Sequence, residues 1–330
     1  MREVSPLPVR IEAAPGESGL GFLLRVARAN GLTLASLFDA LGLPKSLRHA
    51  PDGLAVLARA TEVELDWLVT STAVVDKHDG FCRADWLGRV WACSLSLRGS
   101  HPQICTDCLR EGRPCVFEWE LTGVVACLRH RRHLVDGCMH CGRRLNWWRP
   151  AIDVCSCGRF LAGNPDAERV GDDVVAWTAK LAAEACGDAG SVAGVSAVPD
   201  LPRWLDALSP DGLTAVVFAF GIRSDALERI ASATAIVPPQ TLRMAEVVAR
   251  GVDRIRRVGD LSERCPVDMR LLIYEEGLQR LRRRGSVESD RRAAAGLLAW
   301  LGMRARGSRS AARPHGAGQG ELFRSESAYE

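Results

Sequence analysis

Four short clusters, CTDC at 105–108, CLRH at 127–130, CMHC at 138–141 and CSC at 155–157, crowd into about fifty residues. Two donors separated by one or two residues can reach one cation from a single tight turn, and two such turns complete a tetrahedral site. Taken in order, Cys105, Cys108, Cys127 and His130 form a set of three thiolates and one imidazole around an eighteen-residue excursion. Cys138, Cys141, Cys155 and Cys157 form an all-thiolate set around thirteen residues. Sequential pairing is expected, and interleaved, cross-braced pairing is the alternative that spacing leaves open. Each set is filled by protein donors, so the spacing predicts two structural Zn2+ ions; a catalytic zinc keeps a position for water. His101, Cys115, His133 and His140 lie close by and are expected to be non-ligands, although His133 could replace His130.

The reading as metal depends on the compartment. Seven of the twelve cysteines fall in these clusters and an eighth, Cys115, lies beside them. The opening MREVSPLPVR lacks a signal-peptide core, so a cytoplasmic protein with reduced thiols is expected. The longest apolar run, LTAVVFAFG from Leu213, is far too short for a bilayer span, and no membrane association is expected. With 47% hydrophobic and 25% charged residues the balance is that of a globular chain. Cys82, Cys93, Cys186 and Cys265 are read as small buried side chains, and Trp86, Trp91, Trp119, Trp147 and Trp148 as packing around the zinc modules.

The formal net charge is only +3, but Lys45, Lys77 and Lys180 are the only lysines, so nearly every cation is an arginine. Arginine is the better fork for phosphate, and a genome-wide bias is the plain alternative. Arg129, Arg131, Arg132, Arg143, Arg144 and Arg149 surround the cysteine clusters. They are expected to compensate the negative charge of zinc thiolates, to meet DNA phosphates, or both. Arg254, Arg256 and Arg257 gather at one predicted helix end and Arg282, Arg283 and Arg284 at another. Those positions suit phosphate contact and equally suit the carbonyl end of a helix.

Periodicity predicts a mainly α fold. After an extended lead (1–17), Leu20, Leu23, Leu24 and Ala27 recur at helical spacing, ANG stops the helix, and Thr33 caps a second helix through Leu41. Leu54, Leu57 and Ala58, then Val63, Leu65, Trp67 and Leu68, predict two more, giving a helix-turn-helix-like helical domain over 18–75. The segment TLASLFDALGL offers no arginine, asparagine or glutamine to a base edge. A double zinc-binding region spans 76–165. A C-terminal helical bundle of five or six members spans 166–306, with Ser209 and Ser224 as N-caps and a flexible connection around CGDAGSVAGVSAVPDLP. Residues 307–330 read as a disordered polar tail.

PLPVRIEAAPGESGLGFLLRVARANGLTLASLFDALGL resembles the amino-terminal signature of the TniQ family: a proline-rich lead, a GES element and a helix running into ANGL. ICTDCL, a tryptophan-bearing spacer, CLRHRRHLVDGCMHCGRRL and CSCGRFL resemble the zinc region of that family in the same order. The resemblance covers residues 6 to about 161. It implies zinc ligands at the eight positions named above, with Thr106, Leu128 and Met139 where family knuckles commonly carry proline. It also implies a non-enzymatic target-site selector in bacterial DNA transposition. Such an adaptor links DNA, or an RNA-guided targeting complex, to an AAA+ ATPase that recruits the transposase, either as a single chain or as a homodimer.

Two other functions compete. A zinc-containing DNA-binding regulator unconnected with transposition would share the DNA but lack the ATPase partner. An enzyme is disfavoured: there is no GxxxxGK[ST] phosphate loop. Asp76, Asp79 and Asp85, the carboxylates best spaced for a divalent metal, read more simply as surface charges.

Overall fold

The computed structural model describes residues 4–44, 51–78, 81–91, 96–162, 169–187, 201–223, 240–259, 261 and 265–302. Eleven helices occur among the described residues. Four of them open the chain: α1 (Gly19–Ala29), α2 (Leu34–Ala40), α3 (Pro51–Thr61) and α4 (Leu65–Ser71). Ser18 caps α1 by accepting from the Gly21 amide, and Thr33 caps α2 by accepting from Ser36. Gly31 adopts a left-handed φ of 70°, which ends α1 where ANG predicted. Asn30 then straps the lead to the helix end: its side chain accepts from the Val9 amide at 2.9 Å and donates to the Val9 carbonyl at 2.8 Å. Phe22, Leu23, Leu37, Phe38, Leu57 and Leu68 are sealed in the core between these helices.

The solvent side of α2 carries Ser36, Asp39 and Ala40. No cation on that face reaches toward phosphate, and none of these residues makes the bidentate amide contact that reads adenine.

A three-stranded antiparallel meander follows: β1 (Val74–His78), β2 (Phe81–Trp86) and β3 (Arg89–Trp91). Trp86 pairs with Arg89 across a two-residue turn in which Leu87 and Gly88 both have positive φ, the type I′ geometry that matches strand twist. This sheet corrects the expectation of knuckles and helices alone, and the division expected at 75/76 falls inside β1. The cysteine-rich stretch contains α5 (Thr106–Arg110), one 3₁₀ turn (Phe117–Glu120) and a two-residue ladder of β4 (Ala126–Cys127) with β5 (Arg132–His133).

Six described helices complete the chain: α6 (Asp172–Cys186), α7 (Pro210–Gly221), α8 (Thr241–Val258), α9 (Val267–Leu272), α10 (Glu275–Arg284) and α11 (Glu288–Trp300). Ser209 caps α7 as predicted, and Asp290 of α11 accepts from both its amide and its hydroxyl. The stretch CPVDMRLLIYEEGLQRLRRR, read as one helix, is divided at Ile273 and Tyr274, where the Tyr274 amide donates to the Ala219 carbonyl at 2.7 Å. Helices α7 and α8 cross backbone to backbone. A Cβ on Gly221 would collide with the Val247 carbonyl, and one on Gly251 with the Val217 carbonyl. Ser224 and the helix predicted from it, most of the flexible connection, and the 307–330 tail lie outside the described residues.

The bundle is bound to the cysteine-rich stretch by two buried polar contacts, Ser96 to Asp211 at 2.5 Å and Thr241 to Gln103 at 2.9 Å. One cluster of buried apolar side chains runs from Phe22 to Leu301. No described helix is long and apolar enough to cross a membrane.

Candidate metal centres

The eight donors gather into two groups in sequential order, Cys105, Cys108, Cys127 and His130, and Cys138, Cys141, Cys155 and Cys157. Within each, the ligand atoms all lie within 4.8 Å of one another, so the interleaved alternative is not the arrangement adopted. Zinc at about 2.3 Å from sulfur and 2.0–2.1 Å from nitrogen requires tetrahedral edges of about 3.8 Å between sulfurs and about 3.5 Å between sulfur and nitrogen. In the first group Cys108 Sγ lies 3.6 Å from Cys127 Sγ, and His130 Nδ1 lies 3.3, 3.3 and 3.6 Å from the three sulfurs. In the second, Cys138 to Cys157 and Cys141 to Cys155 both measure 3.8 Å. The residues fit a tetrahedral soft cation.

Local structure explains how the donors converge. Cys105 sits at the N-cap of α5 and Cys108 one turn later, while the Arg113 amide returns to the Cys108 carbonyl at 2.9 Å. Cys127 ends β4, and Arg131 takes a left-handed φ of 51° so that its amide meets the Cys127 carbonyl, which curls His130 back over the same point. In the second group Gly142 and Gly158 supply left-handed turns just after CMHC and CSC, where a side chain would be strained. The Cys138 amide meets the Arg143 carbonyl and the Cys155 amide the Arg159 carbonyl, both at 2.9 Å.

Electrostatics favour a cation. In the first group, hydrogen bonds from Cys108 and Cys127 hold Cys105 down at about 2. Cys108 is driven far upward, and Cys127 is pushed up to about 12, in each case foremost by the bond to Cys105. One thiolate is tolerated, and a second and third ionise only when a positive ion lies between them. In the second group, backbone and side-chain hydrogen bonds from Arg143 bring Cys141 down to about 6, whereas burial pushes Cys155 up to about 12.

The imidazole has a partner that spacing could not reveal. His130 Nε2 lies 2.8 Å from Glu111 Oε1, and Arg129 and Arg113 hold the other oxygen of that carboxylate at 3.0 and 3.3 Å. A carboxylate accepting from Nε2–H leaves Nδ1 with its lone pair toward the sulfurs, the arrangement that orients metal-bound histidines. His101, His133, His140 and Cys115 join neither group. Cys115 is buried against Arg149, and His101 Nδ1 meets the Leu145 carbonyl at 3.1 Å.

Most of the surrounding arginines are engaged within the protein. Arg129 meets Glu111, Arg131 meets Asp172, Arg132 meets Asp107 at 3.4 Å, and Arg144 meets Asp136 at 2.7 Å. Arg143 bonds Cys141, the thiolate compensation expected. Arg98, which sequence reasoning passed over, is buried beside Asp136 at 2.6 Å, and desolvation lowers it to about 10. In the bundle, Arg254 donates to the Phe220 and Leu272 carbonyls, Arg256 pairs with Asp173 and Arg257 with Asp253 at 3.0 Å. Arg282, Arg283 and Arg284 form the last turn of α10, with Arg283 and Arg284 exposed. Trp86, Trp91, Trp119 and Trp147 are core residues. Trp148 is half-buried and packs edge-on against Phe38 of α2 at 5.3 Å between ring centres.

Fold and donor geometry together define a mainly helical protein with two closed candidate metal centres of structural type. The TniQ family model matches residues 8–134, which include the first donor group and stop before Cys138. No curated protein matches the chain.

Proposed function

We propose that the protein is a non-enzymatic target-site selector of bacterial transposition, holding two structural Zn2+ ions and linking target DNA, or a targeting complex, to an AAA+ ATPase. The observation that carries the reading is the TniQ match over residues 8–134 enclosing a donor set already full with four protein atoms. A zinc bound by three thiolates and an imidazole, or by four thiolates, has no site for a substrate oxygen, so its contribution is shape. Here that shape is a rigid seat between the N-terminal helices and the bundle.

DNA contact is assigned to the last turn of α10. Arg129, Arg131, Arg132 and Arg144 are held by carboxylates and Arg254 by helix-end carbonyls, which leaves them little reach. Arg282 and Arg283 stand in the last turn of α10 with Arg283 exposed, and Arg284 beside them is itself engaged within the protein. The test has two arms. Immobilised protein should retain a transposon-encoded AAA+ ATPase, and failure to retain one would favour a free-standing DNA regulator. In fluorescence anisotropy, changing all three arginines to alanine should weaken binding to duplex DNA and reduce the salt slope by up to about three. Unchanged affinity at low salt would remove α10 from the interface.

A further inference from the structure

The segment that leaves the first donor group does more than close a loop. After Cys108 the chain turns at Gly112, whose φ is 72°, and runs through Arg113–Phe117 directly beneath the GES element. The Ser18 amide donates to the Cys115 carbonyl and the Phe117 amide to the Gly16 carbonyl, each at 2.9 Å, so that Glu17 and Val116 form an antiparallel bridge. The same turn begins α1, because the Ser18 hydroxyl caps that helix. Gly21, one turn later, leaves no room over Cys115: a Cβ there would stand 2.9 Å from the Cys115 Cβ. Glu17 is wholly buried and grips Arg25 of α1 through both oxygens at 2.7 and 2.8 Å, which fixes the GES turn to the helix it starts.

We infer that residues 113–117 are a metal-held seat for the N-terminal helices, so that cation binding at Cys105, Cys108, Cys127 and His130 controls whether α1 is docked. The inference rests on the reading of that group as a metal site. The physical link is short. Cys108 is one of the four donors, its carbonyl accepts from Arg113, and Cys115 lies two residues beyond. Three sulfurs at 3.3–3.6 Å from their neighbours lose their reason to converge once the cation is gone. The turn at 105–113 then has no closure, and among the described residues the seat it holds is joined by two backbone hydrogen bonds, at Ser18 and Gly16, to the turn that starts α1. The second group reaches the same place differently, since Arg149 approaches Cys115 at 3.8 Å while its other bonds, to the Asn146 and Ile152 carbonyls, stay within its own module. That contact packs the seat without forming its backbone, so control is assigned to the first group. For an adaptor, the outcome is that the N-terminal helices are presented in fixed orientation only by the metal-loaded chain.

Hydrogen exchange of the full-length chain, read by mass spectrometry beside elemental analysis, tests this. Cys108→Ser should lower bound zinc by about one ion per chain and speed exchange at Ser18 and Phe117 by at least about tenfold, with α7 and α8 as protected as before. Cys141→Ser should lower zinc equally and leave Ser18 and Phe117 near the parent rate. Gly21→Ala, which strikes the seat without touching a donor, should speed the same amides with zinc unchanged. Protection at Ser18 and Phe117 that survives zinc loss in Cys108→Ser overturns the inference. So does loss of protection that spreads to α7 and α8, or an equal effect from Cys141→Ser. Full zinc content in Cys108→Ser would instead overturn the metal reading itself, and the two failures are told apart by the elemental analysis.

Discussion

Glu120 gives the sharpest stability prediction. It is fully buried in the 3₁₀ turn, faced by the Ser18 hydroxyl at the head of α1 and close enough to Cys115 and to Cys186 at the end of α6 to act on both electrostatically. Burial pushes its carboxyl up to about 7, and neither of its oxygens has a hydrogen-bond partner among the described residues. In the unfolded chain the same group titrates at its ordinary 4.5. The folded state therefore binds the proton more tightly. Stability contributed by the neutral acid is fully present below pH 4.5 and is lost as pH rises toward 7. A displacement of about 2.5 units corresponds to about 3 kcal/mol. Glu120→Gln cannot ionise, so its stability relative to the parent should rise by about that amount between pH 4.5 and 8. Urea unfolding of both proteins across that range measures the difference, and the pH dependence of the metal ligands cancels because both proteins share it. A constant offset from an imperfectly placed amide would not matter. A difference that stays flat from pH 4.5 to 8, or falls, would refute the assignment of a protonated buried acid.

Two further perturbations address other parts of the molecule. Glu111→Ala should weaken zinc at the first group by about 10–100-fold in chelator competition while the second group is unaffected, because His130 loses the acceptor that fixes its tautomer; equal affinity would make Glu111 a surface charge only. Gly251→Ala forces a methyl group against the Val217 carbonyl where α7 and α8 touch, and should destabilise the bundle by about 1–3 kcal/mol in chemical unfolding. An unchanged midpoint would show that the two helices separate easily.

What could be read from sequence follows from how local each signal is. The donor groups were legible because each pair of ligands lies within a few residues, and in the second group each turn also carries its own glycine, Gly142 or Gly158. The caps Thr33 and Ser209 were equally local, since a hydroxyl bonds an amide three residues on; Ser18, which works in the same way, was passed over. The β1–β3 meander was missed because its strands are short and carry charges, and because its I′ turn uses Leu87-Gly88 where Asn-Gly or Asp-Gly would have announced it. The break at Ile273 and Tyr274 has no proline or glycine to mark it; a carbonyl of α7, distant in sequence, makes it. Partners of the arginines were invisible for the same reason. Arg131 meets Asp172 and Arg256 meets Asp173 only once α6 lies between the metal centres and α8. The seat under the GES element was hidden for the same reason: the pairing of Ser18 with Cys115 and of Gly16 with Phe117 joins residues about a hundred positions apart.

The central claim is that eight side chains enclose two metal ions with no position left for solvent. X-ray absorption at the zinc edge, on protein exhaustively dialysed and assayed for metal, tests it most directly. The account predicts two zincs per chain sharing seven sulfurs and one nitrogen, with no oxygen scatterer. Fewer than two ions, or an oxygen in the inner shell of either, would contradict it.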